Sequence, residues 1–195
     1  MSQQVARRRA TDQLTPATVS FTPPKGFAAI EGRDHHVTFP VIGRTRSGAN
    51  TLKALGSMGL GMCEFTQSMF KNPVYDQEHL LTEKELYNVV FVPTVSIQHH
   101  LSFNDGVDAI CKKFVYERLP GDIILDCCTK VDNDALRKLH AEFLIIGHVP
   151  IETAHSEPCV FGMARTSVDR SPKGVMRFST IGDMSPYGAI ALRRL

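Results

Sequence analysis

The sequence predicts an α+β fold, a single compact domain with a mixed or antiparallel sheet. Three observations carry that prediction. Short β-branched or aromatic runs, among them Val37–Ile42 and Val89–Val92, alternate with segments whose apolar residues recur at helical spacing. Strand-like runs then crowd the last third, where Val160–Val168, Val175–Ile181 and Ala189–Leu192 predict a C-terminal antiparallel meander. Finally, 195 residues with 43% apolar side chains and 11 Phe suffice for one core.

Residues 1–26 predict a disordered, basic arm. Arg7, Arg8 and Arg9 precede a Thr/Ser/Pro stretch that ends in Pro23-Pro24-Lys25-Gly26. Only Val5, Leu14, Val19 and Phe21 offer sizeable apolar surface, too little to offset the entropy of ordering the segment. The folded domain is expected over 27–195. It opens with two strands, Phe27–Ile30 and Val37–Ile42, joined by the polar turn Glu31-Gly32-Arg33-Asp34.

A helix follows from Ser47 or Asn50, with Leu52, Leu55 and Met58 on its inner face and Gly56, Gly59 and Gly61 fraying its end. Residues 64–81 read as irregular, with Asn72-Pro73 a turn signal. Thr82-Glu83-Lys84-Glu85 fits a capping box for one short helix before Val89–Val92. Val95–Phe103 predicts a strand. Asn104 or Asp105 caps a helix that buries Val107, Ile110, Phe114 and Val115 and stops at Pro120-Gly121. Ile123–Leu125 predicts a buried strand, Asp132 or Asn133 caps a helix with Leu136, Leu139 and Phe143, and Leu144–Ile146 predicts the next strand. That unit has the form of a parallel crossover.

Charge nearly cancels at +2, yet it is segregated. Residues 1–56 hold 8 basic and 3 acidic side chains, residues 57–158 hold 8 and 15, and residues 159–195 hold 6 and 2. Basic ends around an acidic middle predict docking to a polyanion, with self-association into a homo-oligomer through the acidic part. Five cysteines, two of them adjacent (Cys127 and Cys128), are poor material for a disulfide framework and predict a reducing, intracellular setting such as cytoplasm or nucleus. No apolar run reaches the length of a membrane span, and the N-terminus lacks the apolar region of a secretory signal.

Neither a cofactor fingerprint nor a metal site is expected. His148, His155 and Cys159 are spaced i, i+7, i+11 without a supporting chelating pair. Cys127 and Cys128 point to opposite faces of a strand, and Asp122 and Asp126 read as solvated residues at its ends. Gly56–Gly61 follows a helix instead of opening one, so it makes no phosphate cradle.

The anion-binding candidates are Arg7, Arg8 and Arg9 on the arm, then Arg165, Arg170, Lys173, Arg177, Arg193 and Arg194 in the C-terminal region. Guanidinium groups suit phosphate contact without base readout. Phe161, Phe178 and Tyr187 lie among them and offer either stacking platforms or core packing.

Two further segments share a pattern: His36-Val37-Thr38-Phe39 and His100-Leu101-Ser102-Phe103. They resemble the paired His-apolar-Thr/Ser-apolar signature of the 2H phosphoesterases. The resemblance implies two adjacent strands that set His36 and His100 across a cyclic or 2′-5′ phosphodiester as base and acid, with Thr38 and Ser102 on phosphate oxygens. In layout, the Arg-bearing, Pro-containing arm ahead of one α+β domain is similar to small viral structural proteins, the matrix proteins of negative-strand RNA viruses and basic-arm coat proteins. That likeness implies a virion assembly protein on nucleic acid or an acidic membrane. The Pro-Pro-x-Tyr motif common in matrix proteins is missing, since Lys25-Gly26 follows Pro23-Pro24. A host-factor-binding module is the third reading.

Overall fold

The computed structural model describes residues 21–100, 102–164, 174–181 and 185–195. It is a mixed α+β domain whose single sheet holds mainly antiparallel strands. β1 (Ala28–Ala29) and β2 (Val37–Ile42) form the first hairpin, and β2 runs antiparallel to β3 (Leu86–Pro93). Next to β3 lies β9 (Gly188–Arg194), followed by β5 (Phe143–Ile146) and β7 (Pro158–Ala164). β5 and β9 are the parallel pair. Gly162 of β7 faces Ile145 of β5 and Met176 of β8 (Val175–Ser179), so β8 forms the far edge. Two short strands extend the pairing: β4 (Tyr116–Glu117) on the end of β9, and β6 (Ile151–Glu152) on the start of β7.

Helices cover both faces. Val37, Phe39, Val89, Phe91, Ala191, Leu144 and Phe161 point toward α1 (Gly48–Ser57), α2 (Glu64–Lys71), α3 (Pro73–Glu78), α5 (Ile123–Lys130) and α6 (Asn133–Lys138), which contribute Leu55, Met69, Tyr75, Ile123 and Leu136. The alternate residues Val90, Val92, Ile190, Leu192, Ile145 and Val160 pack under α4 (Phe103–Phe114) and a 3-10 turn at Thr94–Ile97. Central strands are thus buried on both sides, and their sequences are continuous apolar runs for that reason.

Several local expectations are corrected. Residues 64–81 are not irregular: Asn72 accepts from the Val74 amide as N-cap and Pro73 opens α3, so the Asn-Pro signal marks a helix start. Thr82–Glu85 forms a turn instead of a capped helix. Lys84 sits at φ 63°, and Gly43 exchanges backbone hydrogen bonds with Lys84 and Glu85. One helical turn gains too little against its nucleation cost to compete with strand pairing by β3. Val95–Phe103 is not a strand, because Pro93 ends β3 and the chain coils into the 3-10 turn and then α4.

Ile123–Leu125 opens α5, and no strand–helix–strand crossover forms there. Ile123, Ile124, Cys127 and Cys128 are buried together at helical spacing. Met58 and Val115 are exposed, the latter as the left-handed C-cap of α4, and Phe143 begins β5. In the C-terminal region β7 and β8 pair antiparallel as expected, the expected strand residues 165–168 and most of the turn lying outside the described residues. By contrast, β9 leaves them for the sheet centre, where Ala189–Leu192 is buried on both faces. Of the expected arm, residues 1–20 lie outside the described residues. Phe21 packs edge-on against His35 at 4.9 Å, so the docked chain begins before residue 27.

Among the described residues no helix is long and apolar enough to cross a membrane.

Candidate anion-binding site

The C-terminal arginines divide into paired and unpaired. Arg177 forms an ion pair with Glu157 and lies over the Phe65 ring at 5.0 Å. Arg193 pairs with Glu85 at 2.5 Å and Glu117 at 3.9 Å, over the Tyr87 ring. Carboxylates of the acidic middle therefore neutralise both, which removes them as free anion contacts. Arg7, Arg8, Arg9, Arg165, Arg170 and Lys173 lie outside the described residues. Arg194 is exposed, and no ion pair holds it among the described residues.

The two histidine motifs adopt different structures. His36 leads into β2 and is buried, and its Nδ1 is 3.2 Å from the Tyr116 hydroxyl. Burial pushes its pKa down to about 4, helped by Arg33, His35 and Lys113 and opposed by Asp34. His100 is exposed after the 3-10 turn, and the Ser102 hydroxyl accepts from the Asp105 amide as N-cap of α4. The second motif is therefore no strand, and no ring contact joins the imidazoles among the described residues. The two adjacent strands that the 2H resemblance implies are thus not formed by these motifs.

Instead, His36 belongs to a cation–aromatic cluster. The β1–β2 loop closes through Arg33 N to Ile30 O and His36 N to Arg33 O, with Gly32 and His35 at positive φ. This fold of the loop lays the Arg33 guanidinium over the rings of Tyr116, at 4.8 Å, and Phe114, at 5.2 Å. Val115, at φ 60°, turns the chain out of α4, and the rings flanking it lie 5.7 Å apart. Lys113 lies over Phe114 at 5.0 Å, and the His36 ring meets Phe114 at 4.9 Å. Arg194 pairs in register with Tyr116 across β9 and β4. Leu192 faces α4, so strand alternation puts Arg194 on that same face.

Two polar atoms here are buried without a partner among the described residues, Arg33 Nη1 and Thr38 Oγ1. Such groups are rare in folded proteins, and each costs about 1–3 kcal/mol. No ion pair holds Arg33, Lys113 or Arg194 among the described residues. Lys113 and Phe114 also line a cavity of about 220 Å³ with Ser96, Ala109, Ile110 and His100. The arrangement offers a cationic, hydrogen-bond-donating surface beside aromatic faces, suited to holding a phosphate. Of its residues His36, Thr38, His100 and Arg194 are candidates from sequence alone, whereas Arg33, Lys113 and Tyr116 emerge only from the fold. The interleaving Lys112-Lys113-Phe114-Val115-Tyr116 is the signal that points to it.

Other polar clusters have structural roles. Asp122 is fully buried and accepts from Arg46, from Thr51 at 2.5 Å and from Tyr75 at 3.1 Å, tying α1, α3 and α5 together. Burial raises its carboxyl pKa while those donors pull it back. This corrects the reading of Asp122 as a solvated residue at the end of a strand. His148 is satisfied by the Val149 carbonyl and the Phe161 amide, His155 packs on Phe65, and Cys159 is buried, so the three gather no metal site. No group of three or more His, Cys, Asp or Glu suited to a metal exists among the described residues.

No family model, no curated protein and no solved structure matches this chain.

Proposed function

We propose that this chain is a nucleic-acid-holding structural protein of the assembly type, which binds the phosphate backbone through the cluster of Arg33, Lys113 and Arg194. The observation that carries the reading is a set of cations on one face of the domain, none of them in an ion pair among the described residues. Phosphate contacts of this kind hold a nucleic acid without reading its sequence. Phe114, half-buried with the Arg33 and Lys113 cations over its ring, holds both charges in place beside one another, as contact with a phosphate backbone requires.

Fluorescence anisotropy with single-stranded RNA and DNA oligonucleotides of mixed sequence tests this. Wild type is expected to bind both, and the R33A/K113A double variant to bind at least tenfold more weakly. Equal affinity in the two proteins overturns the assignment. Binding confined to phosphatidylserine vesicles overturns the nucleic acid as ligand.

A further inference from the structure

We propose a divalent transition-metal site, of the Zn²⁺, Cu²⁺ or Ni²⁺ type, bridged by His35 and His140. The two rings lie 6.1 Å apart between centres. A Zn–N bond of about 2.0–2.1 Å, plus roughly 1.1 Å from nitrogen to ring centre, puts each centre about 3.2 Å from a bound ion. Tetrahedral coordination sets two such centres about 5.2 Å apart, so the rings need to close by roughly 1 Å to hold one ion. Both side chains are exposed, so their imidazoles rotate onto an ion without unpacking the core.

The backbone gives an independent reason to single these residues out. His35 has φ 65° and His140 has φ 53°, the left-handed region in which glycine carries no steric cost. His140 follows the last turn of α6, where the Ala141 amide returns to the Leu136 carbonyl, the position that most often holds glycine. His35 occupies the matching role in the β1–β2 loop, before the His36 amide closes on the Arg33 carbonyl. The chain thus places imidazoles at two strained positions, and they come together at one place. Strain of this kind collects where ligands are clamped.

The surroundings set the metal class. His35 and His140 line a cavity of about 280 Å³ with Pro93, Val95, Leu139, Pro186 and Gly188, and among the described residues that lining contains no carboxylate and no thiol. Two imidazoles suit Zn²⁺, Cu²⁺ and Ni²⁺, whereas Mg²⁺ and Ca²⁺ require oxygen donors. The cavity leaves room for water to complete the coordination. A bound ion would tie the loop that carries Arg33 to the end of α6.

Zn²⁺ titrated into the full-length, metal-free protein by calorimetry tests the site, and glycine variants keep the left-handed backbone while they remove the ligand. Wild type and H155A are expected to bind one Zn²⁺ each with the same affinity, unaffected by excess Mg²⁺, and to melt several degrees higher with it. H35G and H140G are each expected to lose at least tenfold in affinity and to show no rise in melting temperature. Unchanged Zn²⁺ binding in both glycine variants, or no binding by wild type, overturns the proposal.

Discussion

The guanidinium of Arg33 lies 4.8 Å above the ring of Tyr116, and the hydroxyl of that tyrosine meets His36 Nδ1 at 3.2 Å. One aromatic ring thus joins a cation that no ion pair holds among the described residues to a buried histidine. The cluster is both a packing unit and a charged surface.

Removing the arginine is expected to cost stability as well as binding. Arg33 contacts two rings, and each partly buried cation–π contact contributes about 0.5–2 kcal/mol. Because R33A also relieves the buried, unsatisfied Nη1, its net loss of urea stability is expected to stay under about 1 kcal/mol, and R33M to recover the part that comes from packing alone. Equal destabilisation by both variants would assign the whole effect to charge.

Stability is expected to fall in mild acid. Burial lowers the pKa of His36 and His79 to about 4 and that of His148 to about 3, against 6.5 for the free side chain. The unfolded chain therefore binds more protons below pH 6.5, and the stability present above that pH is lost as pH falls toward 4. The slope is at most about 1.4 kcal/mol per pH unit for each histidine. His79, whose ring nitrogens are both buried without a partner among the described residues, makes the sharpest test. Urea unfolding of H79L between pH 4.5 and 6.5 is expected to show a slope shallower by one proton.

Asp122 holds the helical layer together. D122A leaves the partly buried Arg46 without its main partner and the Tyr75 and Thr51 hydroxyls without an acceptor. Breaking a buried pair from one side costs about 3–5 kcal/mol. Denaturant unfolding is expected to show a loss of that order, whereas D126A, at a partly exposed site, is expected to cost under about 1 kcal/mol.

The fold class was legible because strand-forming runs such as Val37–Ile42 and Val89–Val92 are buried on regular faces, where pattern and packing agree. Ile123–Leu125 misleads because a short apolar run has no period of its own, and only Cys127 and Cys128 in the next turn show that the face is helical. The two histidine motifs share a pattern but differ in context. Val37–Ile42 pairs along β3, whereas His100–Phe103 runs into Asn104-Asp105-Gly106 and Ser102 caps a helix. Arg33 was hidden in a polar turn, since its ring partners lie about eighty residues away. The pairing of Arg177 and Arg193 was equally hidden, because Glu157 and Glu85 meet them only across the folded chain.

The salt dependence of oligonucleotide binding tests the central claim most directly. Each phosphate contact to a single strand contributes about 0.7 to the slope of log affinity against log salt. If Arg33 and Lys113 each hold a phosphate, the R33A/K113A variant will show a slope shallower than wild type by about 1.4. An identical slope in the two proteins would contradict the account.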